Sequence, residues 1–268
     1  MTTHADHDAP EQLDSKTRNF YLNAMDALER GRVPYLVGGA YSLAHHAGVV
    51  RHTKDFDVFV KKADARRALK ALDDAGYRTE ITFPHWLGKA YQHDAFVDVI
   101  FGSGNGLCAV DDEWFAHAVE GEAIGRRVKL CPAEEIIWTK AFVQERERFD
   151  GADIAHIILS RGPELDWQRL LRRFESHERV LLAHLVLFGY IYPSQRECVP
   201  EWVMTRLLSR VQAEPAIKEN LCRGTFLSRE QYLLDLCERG FEDPRLQPRG
   251  PMNKEDIAHW TAAINTIK

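Results

Sequence analysis

PYLVGGAYSLAHHAGVVRHTKDFDVFV, residues 34–60, decides the fold. An apolar run ends in Gly38-Gly39, and Asp55-Phe56-Asp57 opens a second run rich in aromatic and β-branched residues. PYLVGG reads as a short buried strand ending in a glycine turn, AYSLAHHAG as a short helix behind it, and DFDVFV as a strand. The strand period of two puts the carboxylates of Asp55 and Asp57 on one face and turns Phe56 to the other. The glycine pair has two uses. It satisfies a turn that needs positive φ, and its lack of side chains lets a phosphate approach backbone N–H groups where the helix dipole favours an anion. Ser42, in the first turn of that helix, offers a hydroxyl to the same anion.

Outward from this stretch, SKTRNFYLNAMDALER (15–30) carries Phe20, Leu22, Met25 and Leu28 at helical spacing, and Gly31 stops it. ADARRALKALDDAGY (63–77) reads as a helix with Ala65, Leu69 and Leu72 on one face. YRTEITF, KAYQH and FVDVIFGS follow as strands. The last of them holds Asp98, a lone carboxylate among apolar residues, which needs a cation, a hydrogen-bonding partner or an opening to solvent. Transfer of a phosphoryl or nucleotidyl group needs positioned divalent metal, and magnesium prefers carboxylate oxygens. Taken singly, an Asp-x-Asp pair marks a solvated strand edge or a cap, and Asp98 pairs equally well with an arginine. The combination of glycine turn, short helix, paired aspartates and a third aspartate on a later strand favours a metal site.

Gly38-Gly39, Thr53-Lys54-Asp55-Phe56-Asp57 and Val97-Asp98-Val99 together resemble the core signature of the DNA polymerase beta-type nucleotidyltransferase superfamily. The resemblance implies an α+β fold, a small mixed sheet with flanking helices. It implies that Asp55, Asp57 and Asp98 hold two Mg2+ ions and that Gly38, Gly39 and the following serine, here Ser42, hold the triphosphate of an NTP. Ala40-Tyr41 separates the glycines from Ser42, where many relatives place serine in the turn itself. A second segment, TKAFVQERERFDGADIAHIIL (139–159), resembles a helical block of minimal and abortive-infection-type nucleotidyltransferases. That likeness gives Lys140 a phosphate or nucleotide contact and Asp153 a supporting role. Read as a helix, the segment puts Lys140 and Gln144 on one face, joined by Arg148 two turns on. Arg146 and Arg148 suit a phosphate contact and a solvated helix of Glu/Arg pairs equally. The resemblance spans residues 34–160.

The rest of the chain sets bounds. A formal charge of −5 over 268 residues gives no support for bulk coating of nucleic acid. Five cysteines without a Cys-x-x-Cys pair argue against a disulfide framework or structural zinc and point to a reducing cytoplasm. The polar N-terminus reads as a frayed tail rather than a signal peptide. VLLAHLVLFGYIY (180–192) falls short of the roughly twenty residues that cross a bilayer and is expected to be a buried core helix. Pro132 with Glu134 and Glu135 opens a mostly helical remainder, proline at the first helical position. The division expected is an α/β catalytic domain over 1–130 and an α-helical C-terminal domain over 131–268 that completes the cleft. His45-His46, on diverging sides of a helix, and His85…His93-Asp94 read as structural or surface residues, while His52 lies close enough to the acid pair to approach substrate. The six tryptophans are scattered and read as core anchors.

The function expected is a magnesium-dependent nucleotidyltransferase that moves an NMP from an NTP to an acceptor hydroxyl and releases pyrophosphate. The acceptor, whether small molecule, RNA or protein, stays open. Two alternatives stand beside it: a nucleotide-binding or interaction protein without turnover, and a toxin-type transferase acting on tRNA.

Overall fold

Asp14 starts the first helix by accepting hydrogen bonds from the N–H groups of Lys16 and Thr17. The computed structural model describes residues 14–50, 55–215 and 218–262. Helix α1 (Ser15–Arg30) is followed by β1 (Leu36–Val37), α2 (Gly39–Ala47), β2 (Asp55–Phe59), α3 (Lys62–Asp74), β3 (Arg78–Phe83), β4 (Leu87–Gln92) and β5 (Ala95–Ile100). Then come α4 (Asp112–Ala116) and the hairpin of β6 (Val119–Ala123) and β7 (Arg126–Leu130). The seven strands form one mixed sheet in the order β3-β4-β5-β2-β1-β7-β6. β2 and β5 run parallel with Asp57 opposite Asp98, while β1 runs antiparallel to β2 and parallel to β7. The alternation of β2 and β5 sends Phe56, Val58, Val97 and Val99 into a core shared with Tyr21, Met25 and Leu28 of α1 and with Leu69 and Leu72 of α3. All of these except Leu69 are inaccessible to solvent or nearly so, which leaves the opposite sheet face to the aspartates.

The remainder is helical: α5 (Ala133–Ala141), α6 (Gly151–Arg161), α7 (Trp167–Phe174), α8 (Glu178–Ile191), α9 (Glu201–Ala213), α10 (Leu233–Cys237) and α11 (Lys254–Ala262). A mixed sheet with flanking helices followed by helices is the α+β arrangement expected. β7 ends at Leu130 and α5 opens at Ala133, close to the break in pattern near residue 130. The packing nevertheless crosses that line, because Leu36, Leu43 and Cys131 belong to the same buried cluster as Ile137, Ile154 and Leu170. Pro132 is the residue capping α5 rather than its first helical residue. Glu134 and Glu135 are buried and bind Arg169, and Arg173 bridges Glu135 to Asp111 at the start of α4.

Three further expectations need correction. α8 is amphipathic in placement although not in composition: Leu181, His184, Leu185 and Phe188 face the core, while Val186, Leu187, Tyr190 and Ile191 are exposed, Tyr190 by 83%. Trp202 is 42% exposed and anchors no core. The helix expected to carry Lys140 through to Arg148 stops at Ala141. Phe142 caps it, and Gln144 and Phe149 pair across a small loop whose backbone is held from outside by Gln144 N–H donating to the Leu227 carbonyl. The expectations about the N-terminal tail and His52 lie outside the described residues.

The final segment returns to the sheet edge. α11 packs on β3, with Trp260 edge-on to Phe83 and Trp86 at 5.1 and 5.3 Å, and Gly104 leaves the space that the indole occupies.

Candidate active site

The glycine turn and the acid pair form one unit. Gly38 N–H donates to the Asp57 carbonyl at 3.0 Å, and Gly39 opens α2 with φ +55°, in the left-handed region. A Cβ on Gly39 would run into the Asp57 carboxylate, so both the backbone angle and the close approach require glycine. The carboxylate of Asp57 therefore lies against the start of α2, where helix N–H groups and the dipole favour an anion. Ser42 is placed differently from expectation. Its hydroxyl is fully buried, donates to the Val37 carbonyl at 2.7 Å and accepts from Cys131 N–H at 3.1 Å. It ties β1 to the chain leaving β7, and the two extra residues Ala40-Tyr41 are what carry it into that position, away from the turn.

Across the sheet, Asp57 and Asp98 are register partners on parallel strands, and Asp55 is opposite Phe96 on the same face. Asp55 is exposed. Burial pushes the Asp57 carboxyl up to about 7, with the charges of Asp98 and Asp55 adding to it and those of Lys140 and Lys89 opposing. Burial also raises Asp98, against the charge and hydrogen bond of Lys89. Lys89 is the register partner of Asp98 on β4. Its Nζ donates to Asp98 Oδ1 at 2.6 Å and lies 4.1 Å from the centre of the Phe96 ring.

A second cluster adjoins the first. Lys140 Nζ lies 2.9 Å from Asp150 Oδ2 and 2.7 Å from Asp153 Oδ2, and Arg148 makes two hydrogen bonds to Asp150 at 3.1 and 3.0 Å. Burial alone would raise Asp150, but the hydrogen bond and charge of Arg148 and the charge of Lys140 hold it below the ordinary carboxylate range. Lys140 acts on Asp57 through its charge, and Asp57 in turn raises Arg148, so the cluster shares the field of the three aspartates. Arg146 is exposed, pairs with exposed Glu147 at 3.6 Å and fits the solvated alternative. On the far side of β2, Tyr21 stacks on Phe56 at 4.9 Å and Tyr41 meets that ring edge-on at 5.6 Å.

Lys89 and Asp150 escaped the sequence reading. Lys89 was within reach of it: two residues, His93-Asp94, separate β4 from β5, and a two-residue hairpin centred there pairs 89 with 98. Asp150 was masked by reading residues 140–148 as one helix.

Among the described residues no group of three or more His, Cys, Asp or Glu side chains stands ready-made around a metal position. The donor set still fits a hard divalent cation. It offers carboxylate oxygens only, from adjacent strands on one face.

The family model for uncharacterised nucleotidyltransferases matches residues 21–189, more than half of the chain and the whole of both clusters. No curated protein matches. Among solved structures the chain is similar to an antigenic nucleotidyltransferase-like protein from Paracoccidioides brasiliensis, at 15% identity and TM-score 0.44 over 69% of this chain and 94% of that one. It is similar to the antibiotic-resistance factor ANT(2'')-Ia at 18% identity and TM-score 0.41 over 75% and 96%. It is also similar to the lincosamide antibiotic adenylyltransferase LnuA, at 16% identity and TM-score 0.38 over 53% and 96%. With the glycine turn, the acid pair and the third acid all inside the matched span, the chain belongs to the family of uncharacterised nucleotidyltransferases.

Proposed function

We propose that the protein is a magnesium-dependent nucleotidyltransferase that moves an NMP from an NTP to an acceptor hydroxyl and releases pyrophosphate. The observation that carries this is the position of Asp57, against the glycine turn that opens α2 and opposite Asp98 in the parallel register. Asp55, Asp57 and Asp98 would hold the magnesium. When bound, the metal offsets charge on the phosphates and on the attacking oxygen. The backbone N–H groups after Gly38-Gly39 receive the triphosphate, and Lys140 and Arg148 bring positive charge to the same side. Asp98 Oδ2, the oxygen not taken by Lys89, accepts the proton of the acceptor hydroxyl, a task its raised affinity for protons suits. Asp153 and Asp150 hold the Lys140 ammonium in place. Ser42 supports the turn from beneath and touches no phosphate. In this reading the helical half, 131–268, completes the cleft by supplying Lys140 and Arg148. The five cysteines are free thiols, which suits a reducing cytoplasm.

The test is to incubate the protein with Mg2+, each α-labelled NTP and a cell extract, and to follow pyrophosphate and the size fraction that gains label. Label in small molecules, RNA or protein identifies the acceptor class, and Asp57→Asn should lower transfer about a hundredfold or more. Transfer that persists undiminished in Asp57→Asn would refute the assignment. Binding of nucleotide without any transfer would favour a protein that kept the fold and lost turnover.

A further inference from the structure

We propose that the apolar outer face of α8 is where a second copy of this chain docks, α8 against α8 across a two-fold axis.

From Val180 to Gln195 the sequence holds no Asp, Glu, Lys or Arg. Its one histidine, His184, is buried and donates to the Ala141 carbonyl at 3.0 Å. A helix that is apolar all round is one covered on both sides. Leu181, Leu185 and Phe188 are covered by the chain's own core, whereas Val186, Leu187, Tyr190 and Ile191 are left uncovered by the described residues. Ala183, Val186, Leu187 and Tyr190, all exposed, stand at i, i+3, i+4 and i+7 and form one continuous stripe.

Neighbouring elements widen the stripe. Phe149, 52% exposed, stacks on His184 at 5.8 Å, and Ile191 lies two turns further along that side of α8. Phe149 directly follows Arg148, so the face reaches the edge of the loop that carries it. α9 runs antiparallel to α8, since Arg206 and Arg210 reach Glu178 at the start of α8. Trp202 stands four residues before Arg206, on the side of α9 turned to α8, and borders the C-terminal half of the stripe. These side chains offer apolar surface on the order of 600 Å2, and a polar rim brings the face near the roughly 800 Å2 a side of a standard interface.

Charge selects the occupant. The arginines at the rim are already paired with acids: Arg179 with Glu214, and Arg206 and Arg210 with Glu178. A face with no charge along its centre and balanced charge at its rim brings no like charges together when it meets its own copy. It offers a charged peptide no complement, and an anionic membrane little of the net positive charge that holds a helix at its surface. Tyr190 and Trp202 supply the aromatic anchors on which such interfaces depend.

Sedimentation equilibrium of the full chain, from low to high micromolar concentration, tests this. The wild type should be a reversible dimer and nothing larger, and its melting temperature should rise with concentration. Tyr190→Glu and Leu187→Glu should each weaken pairing about thirtyfold or more. Both should keep the circular dichroism of the folded chain, because these side chains are exposed in a single copy. Leu208→Glu is the control: 46% exposed, but two residues past Arg206 and so turned away from α8, it should leave the dimer intact. A wild type that stays monomeric at every concentration overturns the proposal, and its flotation with phosphatidylserine vesicles would assign the face to a lipid surface instead. Assemblies that grow beyond the dimer overturn the two-fold pairing. A dimer that survives both Tyr190→Glu and Leu187→Glu, or that Leu208→Glu dissolves equally, overturns the placement on α8.

Discussion

A carboxyl that titrates near neutrality in the folded chain, as Asp57 does at about 7, holds a proton that the unfolded chain has already released. Its contribution to stability is complete below the ordinary value of 3.8 and is lost as pH rises through 7. Metal-free protein in chelator should therefore lose stability between pH 4 and 7 relative to Asp57→Asn, by an amount on the order of a few kcal/mol. Urea melts of both proteins across that range would show it, and parallel profiles would contradict it. Ser42 makes the opposite kind of prediction. Because its hydroxyl joins Val37 to Cys131 in the core, Ser42→Ala should cost about 1–3 kcal/mol of stability and leave NTP affinity unchanged. Loss of affinity without loss of stability would return Ser42 to the phosphate. At this scale the aspartates were legible because a strand period of two and an apolar setting expose a carboxylate at once. The role of Ser42 was not legible, since both of its partners are backbone groups and one belongs to a residue eighty-nine positions away.

Between residues and molecule, the segment from Lys140 to Asp153 shows how an element is fixed from outside itself. Arg148 reaches Asp150 because residues 142–149 leave the helix, and the loop they form is held by Glu145. Its carboxylate accepts from Ser228 Oγ at 2.6 Å and from the backbone and side chain of Arg229. Arg229 then lies over Trp260, 4.6 Å from its ring centre, so the last helix anchors the loop that carries Arg148. Glu145→Ala should raise KM for the NTP about five- to tenfold and leave kcat within a factor of about two, since it frees a positioning loop and removes no reacting group. Steady-state kinetics separate the two constants, and a fall in kcat at unchanged KM would contradict this role. Residues 139–149 read as helix in the sequence because Lys, Gln, Glu and Arg are all good helix formers. What overrides them is a set of contacts to residues 227–231, which local pattern cannot reveal. The hairpin of β4 and β5 is the reverse case, where loop length alone specifies the pairing of Lys89 with Asp98.

Over the whole molecule, the sheet and the helical half share β1 and α2 rather than meeting at a hinge. Leu36 and Leu43 pack with the helices while Val37 packs with α1 and α3. Arg173, bound to Glu135 of α5 and to Asp111 before α4, fastens the same junction. The α+β order was visible in the change from period two to helical spacing near residue 130. The exposure of Val186, Leu187, Tyr190 and Ile191 was not, because an apolar stretch states what is favourable to bury and not how much neighbouring surface exists to bury it. The junction sets Lys140 and Arg148, from the helical half, in the field of Asp57 from the sheet. Calorimetry of Mg·NTP binding to the wild type and to Asp57→Ala tests that joint site most directly. Binding should require the metal and be lost or greatly weakened in Asp57→Ala. Tight, metal-independent binding unchanged by the substitution would contradict it.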